Sequence, residues 1–461
     1  MFNLTSSKLF SAVAALSLLG LSACSPEPVT PPEGVTVDYT VENVHIVDFV
    51  DGQPVLLENQ TIAVNGGVIS AIYDADSTHI PAATEVIAGN NGYVLAGFTE
   101  MHGHVPPATG FGRFPDRYVD DMLFLYVANG VTTVRGMLGY PHQLDLKKAI
   151  ASGEKIGPTL YLAGPSFNGN SIESPEQATQ RVIDQRDEGW DLLKIHPGLT
   201  LAEYQALAAT ANQNKMEFAG HVPADVGLEN ALKAGQVTID HLDGYLEAVD
   251  ALDRPITADE LTYLVELSLQ YQVAVVPTQA LWATLIGAGD NDYLRSFPEL
   301  GLVPEVVRQG WLDYIASPAS AYFAGDSAAV QQANRQALLK ALYLGGVPII
   351  FGTDAPQLFS VPGFSIHREI PYLQAAGMTN ADIIYSATVA AGDYFAEESV
   401  TPFGRIAPGQ RADFLLVPEN PLMQLETLTS HQGVMVRGSW LSRAAIEAKI
   451  ADIRAAYQIN N

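Results

Sequence analysis

Two histidines, His102 and His104, stand one residue apart in the stretch GFTEMHGHVPP, where an apolar run ends. In an extended chain residues i and i+2 face the same side, so the two imidazoles share one face at the end of a strand. Burying two polar rings together costs free energy unless both are satisfied. A divalent cation would satisfy them, and so would a hydrogen-bonded polar cluster. The same arrangement of apolar strand, polar residue and Gly, Pro or Asp turn recurs downstream. It places Lys194 in WDLLKIHPG, His221 in MEFAGHVP, His241 in VTIDHLDGY and Asp354 in VPIIFGTDAP. Borderline metals such as zinc take imidazole nitrogen and carboxylate oxygen. An ammonium has no lone pair to offer, although the apolar neighbours Leu192, Leu193 and Ile195 ease the loss of a proton from Lys194.

The elements that must position these residues can be read around them. From about residue 93, helical patterns alternate with short apolar strands: DDMLFLYVANG leads into VTTVRG, LAEYQALAATANQNK into MEFAGHV, LENALKAG into QVTIDHL, and ALLKALYLGG into VPIIFGTDA. Gly130, Gly235 and Gly346 sit where a helix gives way to a strand. Thr200 with Glu203, and Thr257 with Glu260, have the spacing of capping boxes. Strands alternating with helices over about 300 residues predict a parallel α/β domain, a (β/α)8 barrel first, whose functional residues belong at the C-terminal strand ends. Every polar residue singled out above meets that demand. Short strands and turns occupy 37–92 and return at 402–446. The expected division is a small composite β-domain from those two segments and a barrel over 93–401. A helical insertion over about 285–340 is expected to shape the pocket at the barrel mouth.

A chain of 461 residues with 48% hydrophobic and 16% charged residues can bury a large core. Its formal net charge of −27 gives a field of the wrong sign for nucleic acid, which is excluded as a partner. The N-terminus carries one lysine, then the apolar run LFSAVAALSLLG, then LSAC. This resembles a bacterial lipoprotein signal over 1–23, with Cys24 lipidated and SPEPVTPPEG as a Pro-rich tether over 24–36. An ordinary secretory signal with a chance cysteine is the alternative. The lipoprotein reading implies a lipid anchor in the cell envelope, on the outer membrane facing periplasm or exterior. Cys24 is the only cysteine, so no disulfide or thiol chemistry remains.

The ordered set of HxH, strand-end lysine, two separate strand-end histidines and strand-end aspartate resembles the amidohydrolase superfamily. GYVLAGFTEMHGH, ANGVTTVRG, GTDAP and FGRIAPGQRADFLLV carry the same resemblance, over about residues 40–445. The nearest branch is the imidazolonepropionase-like group that includes Xaa-Pro-type metallo-dipeptidases. The resemblance implies a (β/α)8 barrel with a small β-sandwich built from both chain ends. It also implies two divalent metal ions, zinc being expected, and a CO2-derived carbamate on Lys194. His102, His104 and Asp354 would hold one ion, His221 and His241 the other, and the carbamate would bridge them. Asp354 would be general base and acid, and Tyr245 a donor to the developing oxyanion.

The expected function is hydrolysis of an amide or peptide bond in a dipeptide or N-acyl amino acid. A lactone, carbamate or phosphoester hydrolase, and a tethered binding protein without catalysis, are the alternatives. His196 is read as buried and paired, Arg135 as part of a barrel-mouth ion pair, and Asp225 and Asp243 as turn residues. His367 is left open between a substrate loop and a helix start. Arg135 and Arg368 are the nearest cations for a substrate carboxylate. Nothing in the sequence sets an oligomeric state.

Overall fold

The structure, a computed structural model, describes residues 36–106, 117–317 and 325–458. Cys24, the expected signal segment and all but the last residue of the tether lie outside the described residues. The chain opens with β1 (Val37–Val50), β2 (Gln53–Asn65), β3 (Val68–Asp74) and β4 (Ala83–Ala96). Seven short strands follow: β5 (Phe98–Gly103), β6 (Val131–Gly136), β7 (Thr159–Leu162), β8 (Leu192–Ile195), β9 (Glu217–Gly220), β10 (Thr238–Asp240) and β11 (Ala274–Val276). Three more, β12 (Phe414–Val417), β13 (Gly433–Val436) and β14 (Ser439–Ser442), precede a C-terminal helix, Arg443–Gln458.

β5 to β11 form the parallel barrel. β5, β6 and β7 pair in sequence order, as do β8 to β11. A parallel bridge between Ala163 and Leu192 joins the two groups. The eighth position is taken by the segment around Ile349, which bridges Val275 on one side. On its other side it meets β5, where Met101 N donates to Phe351 O (3.0 Å) and Asp354 N donates to His102 O (2.6 Å). The helices between strands start where the sequence places them. Thr200 and Glu203 make a reciprocal capping box, as do Thr257 and Glu260.

The first four and last three strands form one seven-stranded sheet, ordered β14-β13-β12-β4-β1-β2-β3, the β-sandwich that both chain ends build beside the barrel. Its join is antiparallel, with Phe414 opposite Ala96 and Leu415 opposite Leu95. The period of two then sorts side chains between two cores. Phe414 and Leu416 pack with Ile46 and Val94 inside the small domain, while Leu415, Val417 and Leu95 face the main core of the barrel. This join carries the chain from β4 into β5, and so fixes where the HxH strand enters the barrel.

Candidate metal centre at the barrel mouth

The six residues expected at one site come together at the C-terminal ends of the strands. His102 lies in β5 with His104 just past it, and Lys194 lies in β8. His221 and His241 follow β9 and β10 directly, and Asp354 follows the eighth segment. His102, His104 and Asp354 offer ligand atoms within 4.8 Å of one another. His104 Nε2 is 2.6 Å from Asp354 Oδ1, and His102 Nε2 is 3.7 Å from the same oxygen. His241 Nε2 is 3.7 Å from Asp354 Oδ2. Lys194 Nζ is 3.1 Å from His102 Nε2. The His241 ring lies 4.3 Å from that of His102 and 4.5 Å from that of His221.

Outer partners decide which nitrogens face the centre. His102 Nδ1–H donates to Asp240 Oδ2 (2.7 Å), and His221 Nδ1–H donates to Asp243 Oδ2 (2.6 Å). His241 Nδ1 is 2.7 Å from Thr278 Oγ1. A carboxylate on Nδ1 fixes the tautomer and leaves the Nε2 lone pair for a cation, and Thr278 Oγ1 can accept from His241 Nδ1–H to the same end. His241 Nε2 is buried with no hydrogen-bond partner among the described residues. An orphaned buried nitrogen of this kind needs an explanation, and a divalent cation among imidazoles and a carboxylate supplies one. The donor set therefore fits a metal.

Charge balance agrees. Burial, then the nearby Lys194 and histidine charges, hold His102 and His241 well below the usual imidazole range, so both rings are neutral. Burial also pulls Lys194 down to about 8, against the opposing pull of Asp240 and Asp354.

The backbone is bent to reach these positions. His241 (φ 65°), Thr278 (φ 43°) and Asp354 (φ 64°) are all left-handed non-glycine residues. Such conformations cost of order 1–3 kcal/mol each and cluster where function holds them. Gly220, just before His221, has φ 121°. A Cβ there would lie 2.5 Å from Ile195 O and 3.0 Å from Lys194 Cδ, so glycine makes room for the lysine stem.

Two acidic residues that the sequence reading passed over support the centre. Asp240, wholly buried, accepts from His102, from Thr238 Oγ1 (2.7 Å) and from Arg135 NH2 (3.3 Å). Glu100 accepts from His102 N (3.1 Å) and Thr353 N (2.6 Å), tying the HxH strand to the Asp354 segment. Burial raises its carboxyl to about 8. Glu100, His102 and His104 share the period of two, and that was the available signal.

Asp243 lies in a turn, as expected, but its carboxylate also partners His221, whereas Asp225 is exposed in a turn. Arg135 does form an ion pair, with Asp240, but inside the barrel rather than at its mouth. Arg135→Met would strand a buried carboxylate and is expected to cost about 3–5 kcal/mol of stability. Urea unfolding checks this, and a loss under about 1 kcal/mol would mean that His102 and Thr238 suffice to hold Asp240.

Tyr245 is not brought to the centre. Its ring is fully buried and its hydroxyl pairs with Ser268 Oγ (2.7 Å) on the helix Ala258–Gln270. His241, Leu242 and Gly244 are all left-handed and turn the chain away before Tyr245 is reached. Arg368 is engaged by Glu299 (2.8 Å) and lies 3.8 Å over the Phe297 ring. His367 is the second residue of the helix Ile366–Ala375, and burial, then the charge of Arg368, pulls its imidazole down to about 4. His196 is half-buried and stacks 5.0 Å from His221 at the edge of the cavity.

Two cavities open on the centre. One, of about 400 Å³, is lined by His221, His241, Asp354 and Trp282. The other, of about 640 Å³, lies on the His104 flank. The insertion helix Glu305–Ala316 walls both through Gly310 and Trp311.

The sequence profile of the amidohydrolase family matches residues 93–441, a span that carries all six of these residues. The chain belongs to the amidohydrolase family. No curated protein matches the sequence. Among solved structures, this amidohydrolase is similar to a bottromycin amidohydrolase, at 21% identity over 91% of this chain and 90% of the other (TM-score 0.69). It is similar to a Xaa-Pro dipeptidase with bound methionine in the active site, at 20% over 88% and 99% (TM-score 0.65). An ochratoxinase from A. niger aligns at 15% over 88% and 96% (TM-score 0.65). At these identities the likenesses speak for the fold of this amidohydrolase; the chemistry has to come from its own residues.

Proposed function

We propose that this amidohydrolase uses two divalent metal ions, zinc being expected, to hydrolyse amide bonds in small molecules of the dipeptide or N-acyl amino acid kind. The observation that carries the reading is the set of three imidazoles whose Nδ1 atoms are tied outward while the buried Nε2 of His241 has no hydrogen-bond partner among the described residues. His102, His104 and Asp354 would hold one ion and His221 and His241 the other, with Lys194 between them as a carbamate. The Xaa-Pro dipeptidase among the structural neighbours supports the peptide-like substrate.

Bound divalent ions supply a water of lowered pKa and polarise the carbonyl oxygen. Asp354 takes the attacking water's proton on a carboxylate oxygen and returns it to the leaving nitrogen, so that amide and water become acid and amine. Gln357 donates to Asp354 Oδ1 (2.8 Å) and holds that carboxylate in place. Asp240, Asp243 and Thr278 keep three imidazoles oriented. The Glu305–Ala316 helix narrows the mouth and limits water.

Chelated protein is expected to lose all turnover of a dipeptide and N-acyl amino acid panel, and added zinc to restore it. A zinc-replete protein that cleaves lactones or phosphotriesters but no amide would replace this reading with the ester one. The proposal extends to export and lipid anchoring at Cys24, supported by the LFSAVAALSLLG and LSAC stretches. Mass spectrometry of the mature N-terminus tests it, and an unmodified Cys24 would remove the anchor. Among the described residues no helix is long and apolar enough to cross a membrane.

A further inference from the structure

The larger cavity is not needed to hold any group assigned so far. It opens beside His104 and is walled by Tyr118 at the start of the helix Tyr118–Ala128, by Leu138 and Tyr140 from the loop after β6, and by Val306, Val307 and Trp311 from the insertion helix. Its volume of about 640 Å³ lies within the range of about 300–1,000 Å³ that takes a drug-sized ligand. It runs into the smaller cavity, with His196, Gly310, Trp311, Pro356 and Gln357 lining both. Val306 is 42% exposed although it faces this hollow, an apolar side chain left uncovered next to the reacting centre. Among the described residues the larger cavity is lined by no lysine or arginine, so no cationic side chain described on its walls favours a carboxylate or phosphate.

We propose that this cavity is the subsite for a bulky, uncharged apolar arm of the substrate, aromatic in its best form, and that Val306 and Trp311 set that preference. The inference rests on the amide-hydrolase reading and narrows it. The preferred amide carries a large ring system on the His104 flank rather than two small amino acids. Tyr140 and Trp311 bring aromatic rings to its walls for offset or edge-on contact. Burying about 100 Å² of ring surface there corresponds to a gain of about 30- to 100-fold.

The test uses the full chain, zinc-supplemented, with two matched amide series. One varies the acyl group from acetyl through hexanoyl to 2-naphthoyl on a constant amine. The other varies the amine from methyl through hexyl to 2-naphthylmethyl on a constant acyl group. In one series kcat/KM is expected to rise about 30-fold or more from the smallest member to the naphthyl member. Val306→Asp and Trp311→Ala should each lower that naphthyl-to-small ratio by about tenfold or more. Val306 is exposed enough for an aspartate to leave folding intact, which covers the case in which the Trp311 variant unfolds.

A second readout needs no turnover: binding of 2-naphthylacetamide to chelated protein by calorimetry, weakened about tenfold or more by Val306→Asp. If neither series is cleaved but the naphthyl amide binds and Val306→Asp weakens it, the hydrolase reading falls and the subsite stands. If amides are cleaved with no dependence on size in either series, the subsite is overturned and the hydrolase reading stands; if binding ignores Val306→Asp, the subsite is overturned and cleavage alone decides the hydrolase reading.

Discussion

Asp354→Asn is expected to lower kcat by about a thousandfold or more while leaving metal content close to that of the parent protein. An asparagine keeps an oxygen where the carboxylate offers one to the centre, and keeps an acceptor for the Asp354–Gln357 hydrogen bond. It cannot take up a proton at neutral pH. General acid–base groups contribute about 10²- to 10⁴-fold, and Asp354 is asked to serve twice in each cycle, at the attacking water and at the leaving nitrogen. The loss should therefore fall in the upper part of that range. It should appear in kcat with little change in KM, because the group acts in the transition state more than in binding. Elemental analysis of the purified variant gives the metal content, and steady-state assay on the amide panel gives the rate. A variant within about tenfold of the parent would take Asp354 out of proton transfer. A variant stripped of metal would make it a ligand first and leave its catalytic role to be read from other substitutions.

The residues that bind the fold to the centre were legible to different degrees, for physical reasons. His102 and His104 declare themselves through the period of two, and Lys194, His221, His241 and Asp354 through their place at the ends of apolar runs. The capping boxes at Thr200 and Thr257 rest on local spacing alone, and the structure has them both. What the sequence hides is anything that depends on barrel closure. Asp240 sits next to His241 in the chain, yet its meaning comes from His102, 138 residues away, and from Arg135. Glu100 acquires its role only when the eighth segment brings Thr353 onto β5. Asp243 looks like a turn residue because it is one, and the same turn delivers its carboxylate to His221. Tyr245 misled because a run of left-handed residues rotates the chain between His241 and the ring. The apolar wall at Val306 and Trp311 belongs to a helix whose position over the mouth no periodicity could give.

Lys194→Ala carries the second large effect. In the proposed centre this residue enters as R–NH–COO⁻, formed from the free amine and CO2 with release of a proton. An ammonium cannot attack CO2, so the reaction requires the neutral amine. An ordinary lysine titrates near 10.4 and is about 0.1% neutral at pH 7.5. Burial brings Lys194 down to about 8, which makes about a quarter of it neutral at the same pH. Carbamate formation should therefore climb between about pH 7 and 9 and flatten above, since deprotonation is then nearly complete. The check is a ¹³C NMR resonance from protein equilibrated with ¹³C-bicarbonate and zinc, present in the parent and missing in Lys194→Ala. With the bridge gone, the variant should bind close to one ion per chain in place of two. Its kcat should fall by more than the roughly 10- to 100-fold that loss of an outer hydrogen-bond partner costs a metal site. Two ions per chain in Lys194→Ala, or a parent protein with two ions and no carbamate resonance at pH 8, would show that His102 and its neighbours assemble the pair without this lysine. Lys194 would then be what its 3.1 Å contact with His102 Nε2 displays, a buried amine paired with an imidazole.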